Sequence, residues 1–268
     1  MAEDIISSPQ NPRVKNLVRL HESNHRRRQE RYIIEGQREI ERALSGKVQL
    51  EELFYAPSCF RDRDEYALLS RAEDAGATLC QLSQAAFEKC SLREGPDGLL
   101  AVAVAKDLDL DAISLGPCPL LVVVERVEKP GNLGTLIRTA GAAGADALIV
   151  TDPVTDIYNP QCIRNSQGVC FHLPISVTTN ERAQGWLQRH GVQCIATTPD
   201  TTVDFWAPDY RKPTAILLGS EKDGLTDFWL KQPEILSVKI PMAGAADSLN
   251  VAVAAAVVIF EAVRQRRS

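Results

Sequence analysis

The side chains of this chain that could do chemistry cluster behind three apolar runs. In "EKPGNLGTLIRTAGAAGADALIV" (Glu128 to Val150), Asn132 and Arg138 stand among glycines and alanines. In "AILLGSEKDGL" (Ala215 to Leu225), the apolar run opens directly onto Gly219, Ser220 and Glu221, with Gly224 as a further turn residue. In "VKIPMAGAADSLNVAVAAA" (Val238 to Ala256), Ser248, Leu249 and Asn250 stand at the mouth of an alanine-rich helix, where Ser and Asn are natural N-caps. Gly131 and Gly134 allow close backbone approach, and the start of a helix offers unpaired N–H groups, which are the ingredients of a nucleotide-holding loop. The G-x-G-x-x-G spacing is absent, so a dinucleotide site is a poor fit. Each stretch alone also reads as ordinary structure, a packed helix or a turn with its cap. Together they put three glycine-rich, polar loops at strand ends, and in a parallel sheet such loops converge on the edge where ligands bind.

The elements that must position these loops follow from the apolar pattern. From Pro119 onward, "LLVVV", "DALIV", "VQCIAT", "TAILLG" and "LSVKIP" are short and almost wholly apolar, as expected of parallel strands covered on both faces. Helices are expected at "LGTLIRTAGAAG", "PQCIRNSQGV", "ERAQGWLQRHG" and "VAVAAAVVIFEAVRQRR". Before them, "RYIIEG", "LEELFYAP", "ATLCQL" and "GLLAVAVAK" read as strands. "QREIERALSG", "DRDEYALLSRAEDAG" and "SQAAFEKCS" read as helices, the first two stopping at Gly46 and Gly76. The acidic, proline-bearing stretch "DLDLDAISLGPCP" breaks the pattern. The expected organisation is therefore α/β throughout, with a small domain at 1–106, a linker at 107–118 and a second domain with a mainly parallel sheet at 119–268.

Composition sets limits. The chain has 268 residues, 44% of them hydrophobic and 24% charged, and a net charge of −5, which does not advertise a nucleic-acid binder. The charge is uneven, however. Residues 11–38 hold Arg13, Lys15, Arg19, Arg26, Arg27, Arg28, Arg31 and Arg38 against Glu22, Glu30 and Glu35, either a solvated helix face or a footprint for phosphates. "HESNH" (His21 to His25) matches the H-E-x-x-H zinc pattern, but three arginines follow at once and oppose a divalent cation, so no metal is expected. The longest apolar run, Val251 to Phe260, has the length of a buried core helix, so no membrane span is expected. "MAEDIISSPQ" has no apolar core of a secretory signal, and seven cysteines without a CxxC pair suit reduced thiols in a cytoplasmic protein.

In order and spacing, "PGNLGTLIRTA", "LLGSEKDGL" and "IPMAGAADSLNVAVAAA" resemble the three motifs of the SpoU/TrmH-type RNA 2'-O-ribose methyltransferases, members of the SPOUT superfamily. "ISSPQNPRVKNLVRL" and "YIIEGQREIERAL" resemble that family's N-terminal substrate-binding domain, similar in fold to a small ribosomal protein. The resemblance spans essentially the whole chain. It implies a C-terminal domain tied in a trefoil knot, S-adenosylmethionine as cofactor, a homodimer through the knotted domains, and RNA as substrate. Ribosomal RNA is expected, with transfer RNA or a non-catalytic RNA-binding role in ribosome assembly as the alternatives. Carried onto this sequence, the family pattern assigns the cofactor to Leu218, Gly219, Ile240 and Leu249, with Thr198 beside them. It assigns the catalytic set to Arg138, Asn132, Glu221, Ser248 and Asn250. Arg138 is often cast as the base in such enzymes. A guanidinium is effectively always protonated, so the role expected here is a phosphate grip and stabilisation of charge on the 2'-oxygen. Lys129, Ser220 and the pair Lys222-Asp223 depart from the family pattern and bear on subgroup and substrate.

Overall fold

The computed structural model describes residues 5–61 and 64–267. They form two compact units, and the division is not purely sequential: the first runs to Lys106 and also takes in Tyr158–His172, while the second comprises Asp107–Ile157 and Leu173 onward.

The first unit opens with α1 (Pro12–Arg19) and α2 (Ser23–Gln29), followed by β1 (Arg31–Glu35), α3 (Gln37–Ser45) and β2 (Leu50–Tyr55). It continues with α4 (Asp64–Asp74), β3 (Thr78–Gln81), α5 (Gln84–Cys90) and β4 (Leu99–Val104). Its sheet has the order β1-β4-β2-β3, with β4 antiparallel to both neighbours. β4 is apolar at nearly every position because both of its faces are covered. Leu99, Ala101 and Ala103 meet Ile40 and Ala43 of α3 and Leu68 and Leu69 of α4. The alternate residues Leu100 and Val102 meet Val14 and Leu17 of α1 and Phe87 of α5. The sequence reading starts α4 at Asp62; that residue and Arg63 lie outside the described residues, as do the first four of the chain.

The second unit contains β5 (Leu120–Glu125), α6 (Pro130–Ala143) and β6 (Ala147–Thr151). Then α7 (Pro160–Asn165), a helix of the first unit, intervenes. The second unit resumes with β7 (Ile175–Thr178), α8 (Asn180–Arg189), β8 (Gln193–Thr197), β9 (Thr214–Leu218), α9 (Asp227–Leu230), β10 (Leu236–Val238) and α10 (Val251–Arg267). The sheet order is β10-β8-β9-β5-β6-β7, and every pairing is parallel. α8 and α9 bury Ala183, Trp186, Leu187 and Trp229 on the face carrying Leu121, Val123 and Ile149, while α10 packs against α6 and β9. An all-parallel sheet sends the chain out of every strand at one edge, so the loops after β5, β8, β9 and β10 leave the sheet together.

Several differences from the sequence reading bear on how the units are built, among them helices α1, α2 and α9, absent from the expected set. "PQCIRNSQGV" forms the short α7 and packs with the first unit, where Ile163 joins the core. The stretch 107–118 is no free linker: Leu110 is buried in the core of the second unit, and Asp109 and Asp111 pair with Arg182. β7 is absent from the apolar pattern because it is a four-residue edge strand holding Ser and Thr. The C-terminal turn of α10 is braced in the fold by Arg266. Its guanidinium donates to the carbonyls of Tyr210, Cys118, Pro119 and Lys212 at 2.7–3.0 Å.

Candidate active site

At the carboxyl edge of the parallel sheet lies a cavity of about 570 Å3. Thr197, Thr198, Pro199 and Asp200 after β8 line it, as does the run from Leu218 to Leu225 after β9. Ile240, Met242 and the segment from Asp247 to Val251 close it from the chain between β10 and α10, with Lys129 reaching in from the loop after β5. The five residues assigned to the cofactor from sequence, Thr198, Leu218, Gly219, Ile240 and Leu249, all line this cavity, and so do Glu221, Ser248 and Asn250 of the catalytic set.

Local sequence explains the shape of the middle wall. Gly219 sits where a Cβ would come within 1.9 Å of the Gly224 carbonyl carbon and 2.1 Å of the Leu225 nitrogen, so no side chain fits. The backbone N–H groups of Ser220 and Gly224 donate to each other's carbonyls, the Ser220 hydroxyl accepts from the Asp223 N–H, and Gly224 turns the chain at φ +68°. The result is a tight loop whose half-buried carboxylate, Glu221, reaches the start of α6.

Glu221 is there as a clamp. Its Oε1 accepts from the Asn132 amide at 2.7 Å and from the Lys129 backbone N–H at 3.3 Å, and its Oε2 accepts from the Glu128 N–H at 3.1 Å. Burial opposes the charge, but these donors outweigh it and hold the carboxyl below the usual carboxylate value. The carboxylate thus satisfies N–H groups at the entry to α6, where negative charge is also favoured by the helix dipole. Asn250, the cap of α10, accepts from the Ala252 N–H at 3.0 Å and donates to Asn132 Oδ1 at 3.3 Å. Three loops from three strand ends are joined in this way.

Arg138 is the one assigned residue outside this group. It is an exposed residue of α6, six positions beyond Asn132 and so about 9 Å further along the helix axis at 1.5 Å per residue.

The family model described as the SpoU rRNA methylase family matches residues 119–260. A second, the MRM3-like substrate binding domain, matches residues 11–101. The chain belongs to the SpoU rRNA methylase family. It is 30% identical over 255 residues to the 23S rRNA (guanosine(2553)-2'-O)-methyltransferase RlmP of Bacillus subtilis, covering 95% of this chain and 97% of the relative. Among solved structures, an RNA 2'-O ribose methyltransferase is 40% identical with a TM-score of 0.86, covering 99% of this chain and all of the other. An AdoMet-bound rRNA methyltransferase from Sinorhizobium meliloti is 30% identical with a TM-score of 0.89 and 97% coverage of each chain.

Two features of this SpoU family site escape the sequence reading. Thr197, one position before the assigned Thr198, lines the cavity, and its buried hydroxyl has no hydrogen-bond partner among the described residues. The Thr198 hydroxyl is turned back to accept from the Asp200 N–H. Strand parity could have flagged the difference, since adjacent residues of a strand face opposite ways. The other feature is Glu125, a fully buried carboxylate at the end of β5, which carries no motif signal of its own.

The basic N-terminal stretch is only partly available to a ligand. Arg26 is buried, donating to the carbonyls of Leu20 at 2.9 Å and His21 at 2.6 Å. Arg13 pairs with Glu52 and Arg31 with Glu51. Lys15, Arg19, Arg27, Arg28 and Arg38 are exposed. His21 precedes α2 while His25 lies within it, so the two do not share one helix face.

Proposed function

We propose that this chain is an S-adenosylmethionine-dependent methyltransferase acting on a ribose 2'-hydroxyl of ribosomal RNA. The cavity at the sheet edge carries the reading. Its size suits a small-molecule cofactor, for which sites run from about 300 to 1,000 Å3. Leu218, Leu225, Ile240 and Leu249 give it aliphatic walls suited to a flat adenine, and Thr197 offers a buried hydroxyl in need of a partner. Lys129 and Lys222 can meet a carboxylate, and Asp200, Asp223 and Asp247 a cationic amino acid moiety. When bound, S-adenosylmethionine supplies an electrophilic methyl group on a sulfonium.

The chain's own residues then have to hold the nucleotide and manage charge. Asn132, oriented by Glu221 and Asn250, presents its amide beside the cavity mouth. Arg138 grips the substrate phosphate through its guanidinium fork and stabilises negative charge growing on the 2'-oxygen as the hydroxyl proton passes to solvent water. Holding the hydroxyl in line supplies much of the remaining rate. The exposed Lys15, Arg19, Arg27, Arg28 and Arg38 give the first unit phosphate contacts.

The same proposal includes a threaded C-terminal segment, a homodimer and a cytoplasmic setting. Threading is supported by the backbone pairing of Lys239 with Val203 and Phe205. The dimer is supported by an apolar stripe on α10, where Val253 and Phe260 are 50% and 47% exposed, and by Trp206 at 52%. Seven free thiols suit the cytoplasm.

The deciding experiment supplies methyl-labelled S-adenosylmethionine with ribosomal RNA, free and in ribosomal particles, and analyses the digested nucleosides. Label in a 2'-O-methyl nucleoside is expected. Label only on a base overturns the chemistry, and label only in a parallel transfer-RNA reaction overturns the substrate. A protein whose melting temperature does not rise with S-adenosylmethionine is a non-catalytic member of the fold.

A further inference from the structure

We infer that Glu125 is a positioning residue for the cofactor loop, acting through a buried network whose hydrogen-bond polarity admits only a carboxylate at this point; this rests on the reading that the cavity takes S-adenosylmethionine.

Glu125 ends β5 and is fully buried. Its neighbours on the same strand face, Leu121 and Val123, lie in the core under α8 and α9. Its Oε1 accepts from the Asn180 amide nitrogen at 2.5 Å and from the Thr226 hydroxyl at 2.7 Å. Its Oε2 accepts from the Thr226 backbone N–H at 2.7 Å. Asn180 in turn accepts, through Oδ1, from the Trp229 indole N–H at 2.9 Å.

Both ends of this chain of bonds are donor-only groups. An indole N–H cannot accept, so Asn180 must turn its oxygen toward Trp229 and its NH2 toward Glu125. A backbone N–H cannot accept either, so the other Glu125 oxygen must also be an acceptor. A glutamine here would set an N–H against an N–H at one end or the other, and an unmatched buried donor is costly. The carboxylate is therefore dictated by its surroundings, with neutral donors supplying its contacts.

What the network holds is the far end of the loop that forms the cavity's middle wall. Thr226 directly follows Leu225, a lining residue, and two of the three bonds to Glu125 come from Thr226. From inside the same loop Glu221 grips Glu128, Lys129 and Asn132. The segment from Glu125 to Asn132 and the loop from Gly219 to Thr226 thus hold each other through two carboxylates, one from each side. Releasing Thr226 frees the loop's exit, and with it the wall that meets the cofactor.

The test compares the natural protein with Glu125→Gln, Asn180→Asp and the double variant. Cofactor affinity is read by calorimetry with S-adenosylmethionine, steady-state KM values by methyl transfer, and stability by thermal unfolding. Glu125→Gln should weaken cofactor binding roughly tenfold, with the KM for RNA within about twofold. Asn180→Asp should do the same, because it puts two carboxylates face to face. The double variant moves the carboxylate across the bond. Its new carboxylate at position 180 accepts from both the Trp229 indole and the amide nitrogen now at position 125, whose amide oxygen accepts from Thr226. It should recover most of the affinity. A merely structural role would lower the melting temperature and leave the cofactor affinity of the folded protein unchanged. Normal binding by Glu125→Gln, or a double variant no better than the single ones, overturns the inference alone. Should Glu125→Gln not fold, the double variant still decides by its binding. A natural protein that binds no S-adenosylmethionine overturns the cofactor reading and the inference with it.

Discussion

Asn132 and Asn250 lie 118 residues apart in the chain, and the amide of Asn250 donates to the side-chain oxygen of Asn132 at 3.3 Å. That contact joins the entry of α6 to the entry of α10, and Glu221 completes the chain by binding the other end of Asn132. Both helix starts are therefore set against the same loop.

Because its donors hold the Glu221 carboxyl below the ordinary value, this clamp should respond to acid in one direction. A depressed folded-state pKa contributes stability above the unfolded value, about 4.3 for a glutamate, and that contribution is lost as pH falls through the lower folded value. Urea unfolding of the natural protein and Glu221→Gln should show a constant gap above about pH 5 that narrows on further acidification. A gap independent of pH would show that the charge on Glu221 is not what holds α6.

Gly219→Ala should destroy the cofactor loop, because the new methyl would meet backbone at 1.9 Å. The expected result is a lower melting temperature and no further rise on adding S-adenosylmethionine. Gly116→Ala, where nothing lies within 4 Å of the added carbon, is the control and should change neither.

Arg138→Ala should leave cofactor affinity nearly intact, since Arg138 stands apart from the cavity lining, and lower methyl transfer at least about a hundredfold, the scale of losing one charge-stabilising donor. Arg138→Lys should recover little, because an ammonium cannot make the two-pronged phosphate contact. Single-turnover rates at saturating RNA give the answer. An unchanged rate removes Arg138 from the reaction.

The basic stretch should split into two classes. Replacing Arg27 and Arg28 by alanine should weaken RNA binding and reduce the salt slope by roughly 1.5, close to 0.7–0.9 for each lost phosphate contact. Arg26→Ala should instead lower stability, because it leaves the buried Leu20 carbonyl and the part-buried His21 carbonyl without this donor. Filter binding across a salt series, alongside thermal unfolding, separates the two. Equal salt slopes for natural and doubly substituted protein would make those arginines part of a solvated face.

The sequence made the loops legible because each follows an apolar strand and carries its own glycine and cap. The resemblance of those loops to the family motifs assigned Thr198, Leu218, Gly219, Ile240 and Leu249 to the cofactor, and all five line a single cavity. The family pattern marked Thr198 and passed over Thr197, although both line the cavity and it is the Thr197 hydroxyl that is buried without a partner among the described residues. The packing of α7 with the first unit was equally hidden, for a helix does not declare which core its apolar face will meet. Arg26 and Arg27 are adjacent and chemically alike, yet one is buried and the other exposed. Glu125 reads as the polar end of a strand, and its meaning comes only from Asn180, Thr226 and Trp229, which folding brings to it.

The Arg266 brace has a consequence for the order of events at the ribosome. The Cys118 carbonyl it secures is 148 residues upstream. The strand that begins the parallel sheet thus waits, during synthesis, for a side chain made long after it. Contacts of such long range slow folding, and until Arg266 is made the start of β5 is tied by earlier residues alone, the Leu120 N–H donating to the Asp146 carboxylate at 2.7 Å and the Pro119 carbonyl accepting from the Thr214 N–H at 2.9 Å.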